Sequence, residues 1–116
     1  MIQKESFCYV VDNSGGSLVK VFHIKKKGIL GSKVVCSVQR LRRLMVTKLK
    51  KGKIERAILV RCKKKVIRKD GSTISFGKNG VALINNRNAP KAKRIYGPIA
   101  REVGRLKFFT VASRIL

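Results

Sequence analysis

The run Ala57-Ile58-Leu59-Val60-Arg61-Cys62 limits what this chain can fold into more than any other stretch. It is too short for a buried helix. Its apolar residues do not alternate with polar ones, so a strand made from it needs cover on both faces. The run therefore predicts the centre of a sheet, and the remainder of 116 residues must supply both covers.

Other short β-type runs flank it. Phe7 to Val11, Leu18 to Ile24, Val34 to Val38, Thr73 to Phe76 and Val81 to Ile84 read as strands. Dense turn signals separate them: Asp12-Asn13-Ser14-Gly15-Gly16, Lys25-Lys26-Lys27-Gly28 with Gly31-Ser32, Lys50-Lys51-Gly52-Lys53, and Gly77-Lys78-Asn79-Gly80. The first two runs make a hairpin. Lys63 to Arg68 extends the central strand with exposed charge, and Lys69-Asp70-Gly71-Ser72 turns it back as a second hairpin. Gln39 to Lys53 shows a partly helical period at Leu41, Leu44, Met45 and Leu49, but reads as strand or loop. The pattern predicts a mainly β fold, a small barrel or sandwich. A barrel leaves no exposed edge.

From Asn85 to Arg94 the chain reads as a basic loop. Tyr96-Gly97-Pro98 turns it, and Pro98 suits the first turn of a helix. Ile99, Val103, Leu106, Phe109 and Val111 then recur at roughly helical spacing, with Gly104 separating two short helices. One domain over 1–116 is expected, a β body to about residue 97 and a helical tail from about 98 to 116.

Charge is the strongest global fact: 29 Lys+Arg against 5 Asp+Glu, net +24. Solubility asks for only about 2–8 in a small domain. A polyanionic partner is the physical reason for such an excess, because each phosphate neutralised releases counterions. Between Arg40 and Lys69 lie 14 positive residues and one acid, Glu55. That charge falls on both sides of the central strand, as suits a protein embedded in RNA. The seven aromatics are scattered along the chain and promise no stacking platform. Phosphate, sugar and shape contacts are the expected mode.

Chemistry is hard to build from the rest. His23 stands alone in an apolar strand, and the five acids are dispersed, with Asp12 and Asp70 in turns that cap their own backbone. Cys8, Cys36 and Cys62 are odd in number and lack C-x-x-C spacing, which argues against a disulfide framework or a metal site and for small buried residues. No enzyme, cofactor or small-molecule substrate is indicated. No apolar run reaches the ~20 residues needed to span a membrane, and no Arg/Ser-rich presequence precedes the alternation that begins near Ser6.

Four segments in register carry a resemblance over nearly the whole chain. They are Met1-Ile2-Gln3-Lys4-Glu5-Ser6, Asp12-Asn13-Ser14-Gly15, Val60-Arg61-Cys62-Lys63-Lys64 with Arg68-Lys69-Asp70-Gly71-Ser72, and Arg94-Ile95-Tyr96-Gly97-Pro98-Ile99-Ala100-Arg101-Glu102. Together they resemble the universal large-subunit ribosomal protein family usually called L-fourteen. The resemblance implies a five-stranded β-barrel with a projecting β-hairpin and a short C-terminal helical region. It implies binding to large-subunit rRNA, a neighbouring ribosomal protein, and a place at the intersubunit face against small-subunit rRNA. It also implies a surface open to a ribosome-silencing factor. The alternative is a free-standing basic barrel of the RNA chaperone or translation-factor type.

The candidate rRNA-binding residues are Lys26, Lys27, Arg40, Arg42, Arg43, Lys48, Lys50, Lys51, Lys53, Arg61, Lys63, Lys64, Lys65, Arg68 and Lys69. Those for intersubunit or factor docking are Lys93, Arg94, Arg101, Thr110 and Ser113. The chain departs from the family pattern where Lys65 replaces a common glycine, where Lys69 replaces a frequent proline, and where Val103-Gly104 replaces Leu-Arg. The loop from Lys26 to Ser32 is shorter than usual, and the end, Ala112 to Leu116, is altered and short. The excess of Lys, Ile and Asn resembles AT-rich organellar coding, and the chain begins at the family's own start. A mitochondrial ribosome is expected, with plastid and bacterial ribosomes as alternatives.

Overall fold

The computed structural model describes residues 5–25, 29–41, 50–104 and 106–116. The candidates Lys26, Lys27, Arg42, Arg43 and Lys48 lie outside the described residues, as does most of the ambiguous stretch after Gln39.

Strands β1 (Phe7–Val10), β2 (Gly16–Ile24), β3 (Lys33–Leu41) and β4 (Ile54–Arg61) pair in sequence, each antiparallel to the next. A short hairpin follows, β5 (Val66–Ile67) and β6 (Thr73–Ile74). Strand β7 (Gly80–Leu83) then pairs antiparallel with β4 and parallel with β1, through Tyr9↔Gly80 and Val10↔Val81. The result is a closed five-stranded barrel, β1-β2-β3-β4-β7. The expected strands are present, and closure rather than sandwich stacking resolves the edge problem.

The central run behaves as its composition requires. Ala57 and Leu59 point into the barrel with Cys8, Val19, Val21, Cys36, Val38 and Val81. Ile58 and Val60, of opposite parity on β4, join a second core with Ala82, Ile84, Ile95, Ile99, Val103 and Phe108. The last four residues are the cover supplied by the tail. Burying a side chain of this size stabilises by about 1.5–3 kcal/mol, so the tail is bound to the barrel by a true core.

The tail departs from the helical expectation. Residues Ile95–Ile99 form β8, with Pro98 inside it. A 3₁₀ turn occupies Arg101–Val103 and is closed by Gly104 at φ 67°. Helix α1 covers only Leu106–Val111, and Ala112–Ile115 form β9. β9 runs parallel to β8, with Ile95↔Ala112 and Ile99↔Ile115. Pro98 is tolerated because the flank of β8 that faces the barrel carries only separate bonds, Tyr96 N–H to Val11 O at 2.7 Å and Ala100 N–H to Val60 O at 3.2 Å, and no continuous ladder that a residue without an N–H would break. The predicted break at Gly104 is present; the predicted helix start at Pro98 is not.

The β4 strand also ends sooner than expected. Lys63 and Lys64 bend away after Cys62, and only Val66–Ile67 return to strand. The turn itself is as expected. Gly71 has φ 89° and its N–H donates to Arg68 O at 3.0 Å, while Arg68 N–H donates to Ser72 O at 2.8 Å. This is a three-residue hairpin loop ending on a left-handed glycine. Asp70 Oδ1 accepts from Ser72 N–H at 3.0 Å and from the Ser72 hydroxyl at 2.6 Å.

Candidate nucleic-acid interface

β4 distributes the basic centre of the chain. Lys50, Lys51 and Lys53 lie in the turn before it, and Lys63, Lys64 and Lys65 in the bend after it. A strand of eight residues separates them, which spans about 25 Å. All six are exposed, as are Arg40 at the end of β3 and Lys69 in the hairpin loop. Exposed ammonium groups at both ends of one strand can meet phosphates on either flank of it. Lys53 is partly committed, since its Nζ lies 3.9 Å from Glu55 Oε1. Glu55, buried at the rim of the barrel, is held also by Lys91 Nζ at 3.1 Å.

Two of the candidates are committed to bonds within the protein instead. Arg61 donates from Nε to Pro98 O at 2.7 Å and from Nη2 to Tyr96 O. Its guanidinium ties β4 to β8, and burial pulls its pKa down. Arg68 donates from Nε to Glu102 Oε1 at 2.5 Å and from Nη2 to Glu102 Oε2 at 3.2 Å and to Leu116 O at 2.6 Å. These bonds fasten the β5–β6 hairpin to the tail. The side-chain hydrogen bond from Arg68 holds the Glu102 carboxyl below its usual range. The planar fork of arginine matches both backbone carbonyls and a carboxylate, as an ammonium does not. The hairpin therefore presents Lys63, Lys64, Lys65 and Lys69 outward from an anchored base.

The docking candidates divide. Lys93 and Arg94 are exposed just before β8. Asn13 fixes that approach: its N–H donates to Arg94 O at 3.1 Å, and its Oδ1 accepts from Arg94 N–H at 3.3 Å. The Ile95↔Ala112 register brings the exposed Thr110 and the backbone of Ser113 to the same end of the β8–β9 sheet. Thr110 and Ser113 are not neighbours on one helix face, because α1 stops at Val111. Arg101 is exposed beyond the opposite end of β8, beside the Arg68–Glu102 pair, and its N–H donates to Leu116 O at 3.0 Å.

One surface was missed from sequence. Phe7, Tyr9 and Phe22 are exposed on β1 and β2. Lys20 Nζ stands 5.8 Å from the Phe7 ring centre, and Lys78 Nζ 4.5 Å from that of Tyr9. The signal was the alternation on β1, where Cys8 and Val10 face the core and the aromatics between them face out.

Comparison with known proteins decides the family. The chain matches the family described as "Ribosomal protein L14p/L23e" over residues 1–115. It belongs to that family. A relative, "Large ribosomal subunit protein uL14" of Petrotoga mobilis (strain DSM 10674 / SJ95), is 41% identical over 118 residues, covering 97% of this chain and 95% of the relative. The five-stranded barrel agrees with the resemblance. Membership makes the chain a ribosomal protein and not an enzyme, and removes the free-standing chaperone or factor as its reading.

Proposed function

We propose that the chain is a structural component of the large ribosomal subunit that binds rRNA chiefly through phosphate and shape contacts. Family membership over residues 1–115 carries the reading. The placement of exposed lysines at both ends of β4, on a chain of net +24, supports the mode. Lys50, Lys51, Lys63, Lys64, Lys65 and Lys69 are the principal contacts. Arg61 and Arg68 serve by holding the lysine-bearing segments in place.

The end of the β8–β9 sheet with Lys93, Arg94, Thr110 and Ser113 is the docking surface for subunit joining, against small-subunit rRNA or a silencing factor. Arg101 belongs to a separate patch with the hairpin, beside the Arg68–Glu102 pair. The compositional excess of Lys, Ile and Asn favours a mitochondrial ribosome.

Two variants incorporated into ribosomes test the division of labour. Lys63, Lys64, Lys65 and Lys69 replaced by Ser should lower incorporation into large subunits while the free protein still folds. Arg94→Glu should leave incorporation intact and weaken subunit association in sedimentation, or binding of the silencing factor. If Arg94→Glu blocks incorporation instead, that surface faces large-subunit rRNA.

A further inference from the structure

We propose that the outer face of β1 and β2 is a stacking platform for unpaired RNA bases, with Phe7, Tyr9 and Phe22 as its rings and Lys20 and Lys78 as cations for the flanking phosphates. The inference rests on the reading of the chain as an rRNA binder and adds a second mode to it.

Single exposed apolar residues are ordinary. This group is not scattered. The exposed aromatics are Phe7 at 55%, Tyr9 at 44%, Phe22 at 40% and Tyr96 at 40%, and the first three lie on two paired strands. Phe7 and Tyr9 are two apart on β1, so they share a face about 7 Å apart. Phe7 is directly opposite Lys20, and Phe22 is two residues beyond Lys20 on β2. The Tyr9 N–H donates to Asn79 O at 3.0 Å, which fixes β1 beside the loop that carries Lys78.

The chemistry favours RNA over protein. Each base offers a π face to a ring, and its phosphate offers charge to an amine, so one ligand satisfies both kinds of group. A base laid on Phe7 or Tyr9 displaces the lysine from the ring and leaves its amine beside the sugar–phosphate chain. The acid on this rim, Glu5, is paired with Lys20 at 2.8 Å, and so exposed a pair is weak enough to yield Lys20 to a phosphate. A protein partner would need apolar side chains for the rings and acids for the two amines, interleaved at the same spacing.

The test uses the full chain with three probes: a short single-stranded oligoadenylate, its abasic counterpart, and an RNA duplex. The wild-type protein should hold oligoadenylate more tightly than the abasic strand. Phe7→Leu and Tyr9→Leu should each weaken oligoadenylate binding by about five- to a hundredfold. Both should leave duplex and abasic affinities unchanged, and Tyr9→Phe should retain wild-type behaviour. Equal affinity of the wild-type chain for oligoadenylate and the abasic strand overturns the proposal without recourse to any variant. If the leucine variants instead lose only a neighbouring ribosomal protein, the face is a protein-docking surface and the proposal falls. If the wild-type chain binds neither single strands nor duplex, the rRNA-binding reading itself has failed.

Discussion

At the scale of single residues, Arg61 and Gly97 work as a pair. Gly97 has φ 75°, and a Cβ there would meet the Arg61 guanidinium. Gly97→Ala should therefore destabilise the fold by about 1–3 kcal/mol, measured by denaturant unfolding. No change would mean that the guanidinium yields at no cost and the tie is dispensable. The role of Arg61 was not legible in the sequence, because its partners are backbone carbonyls 35 and 37 residues away. In a chain this basic, a structural arginine looks like one more phosphate ligand. The cysteines were legible, since small apolar residues inside strand patterns have few other roles. Burial pushes the Cys8 thiol up to about 11, with Cys62 adding to it. Burial likewise pushes Cys36 to about 12, with Cys8 and Glu55 adding. Both folded values exceed the ordinary 9.0, so the stability these thiols contribute is complete below that pH. It is lost as pH rises through about 11 and 12. Above pH 9 the unfolding free energy of the wild type should fall more steeply than that of a Cys8→Ala/Cys36→Ala variant. Equal slopes in urea titrations would show that the thiols titrate alike folded and unfolded.

At the scale of elements, the β5–β6 hairpin was readable because Asp70 and Gly71 act on their immediate neighbours. Its anchorage was not, because Glu102 and Leu116 lie 34 and 48 residues beyond Arg68. The tail was misread for a different reason. Pro98 fits both a first helical turn and a strand of a two-stranded sheet, and only the distant β9 decides between them. The Arg68–Glu102 tie gives the hairpin its own pH response. Glu102 is held below its ordinary 4.5 by Arg68, so the tie is complete above that pH and is lost as pH falls through the depressed value. Glu102→Gln should mimic the acid state at neutral pH. Exchange of the Arg68 amide, which spans the hairpin to Ser72 O, should accelerate, while barrel amides such as Leu59 keep their protection. Uniform acceleration across both would mean that the hairpin and barrel open together.

At the scale of the whole molecule, two sequence facts pull in opposite directions. The two-sided apolar run of β4 demands a compact body with cover inside and out, and the barrel and tail provide it. The net charge of +24 opposes compaction through self-repulsion. The fold reconciles them by spending its few acids on position. Glu55 holds Lys53 and Lys91, Glu102 holds Arg68, and Glu5 holds Lys20. Asp12, buried, accepts from Ser14 and from Leu83 N–H at 2.9 Å, bridging the first turn to β7. What remains outward is a shell of lysines and arginines, Arg40, Arg87, Arg94, Arg101 and Arg114 among them, and its expected consequence is a steep salt dependence. Affinity for an rRNA fragment should fall by roughly 0.7–0.9 log units per log unit of salt for each phosphate contacted. Replacing Lys63, Lys64, Lys65 and Lys69 by Ser should lower that slope by about the same increment for each lysine that meets a phosphate. Phe7→Leu and Tyr9→Leu should leave the slope alone, since they remove no charge. Arg61 and Arg68 are unsuitable for the measurement, because their loss would loosen β8 and the hairpin and mix folding with binding. A flat salt dependence in the wild-type chain would defeat the phosphate reading, and the charge would then need a role other than holding RNA.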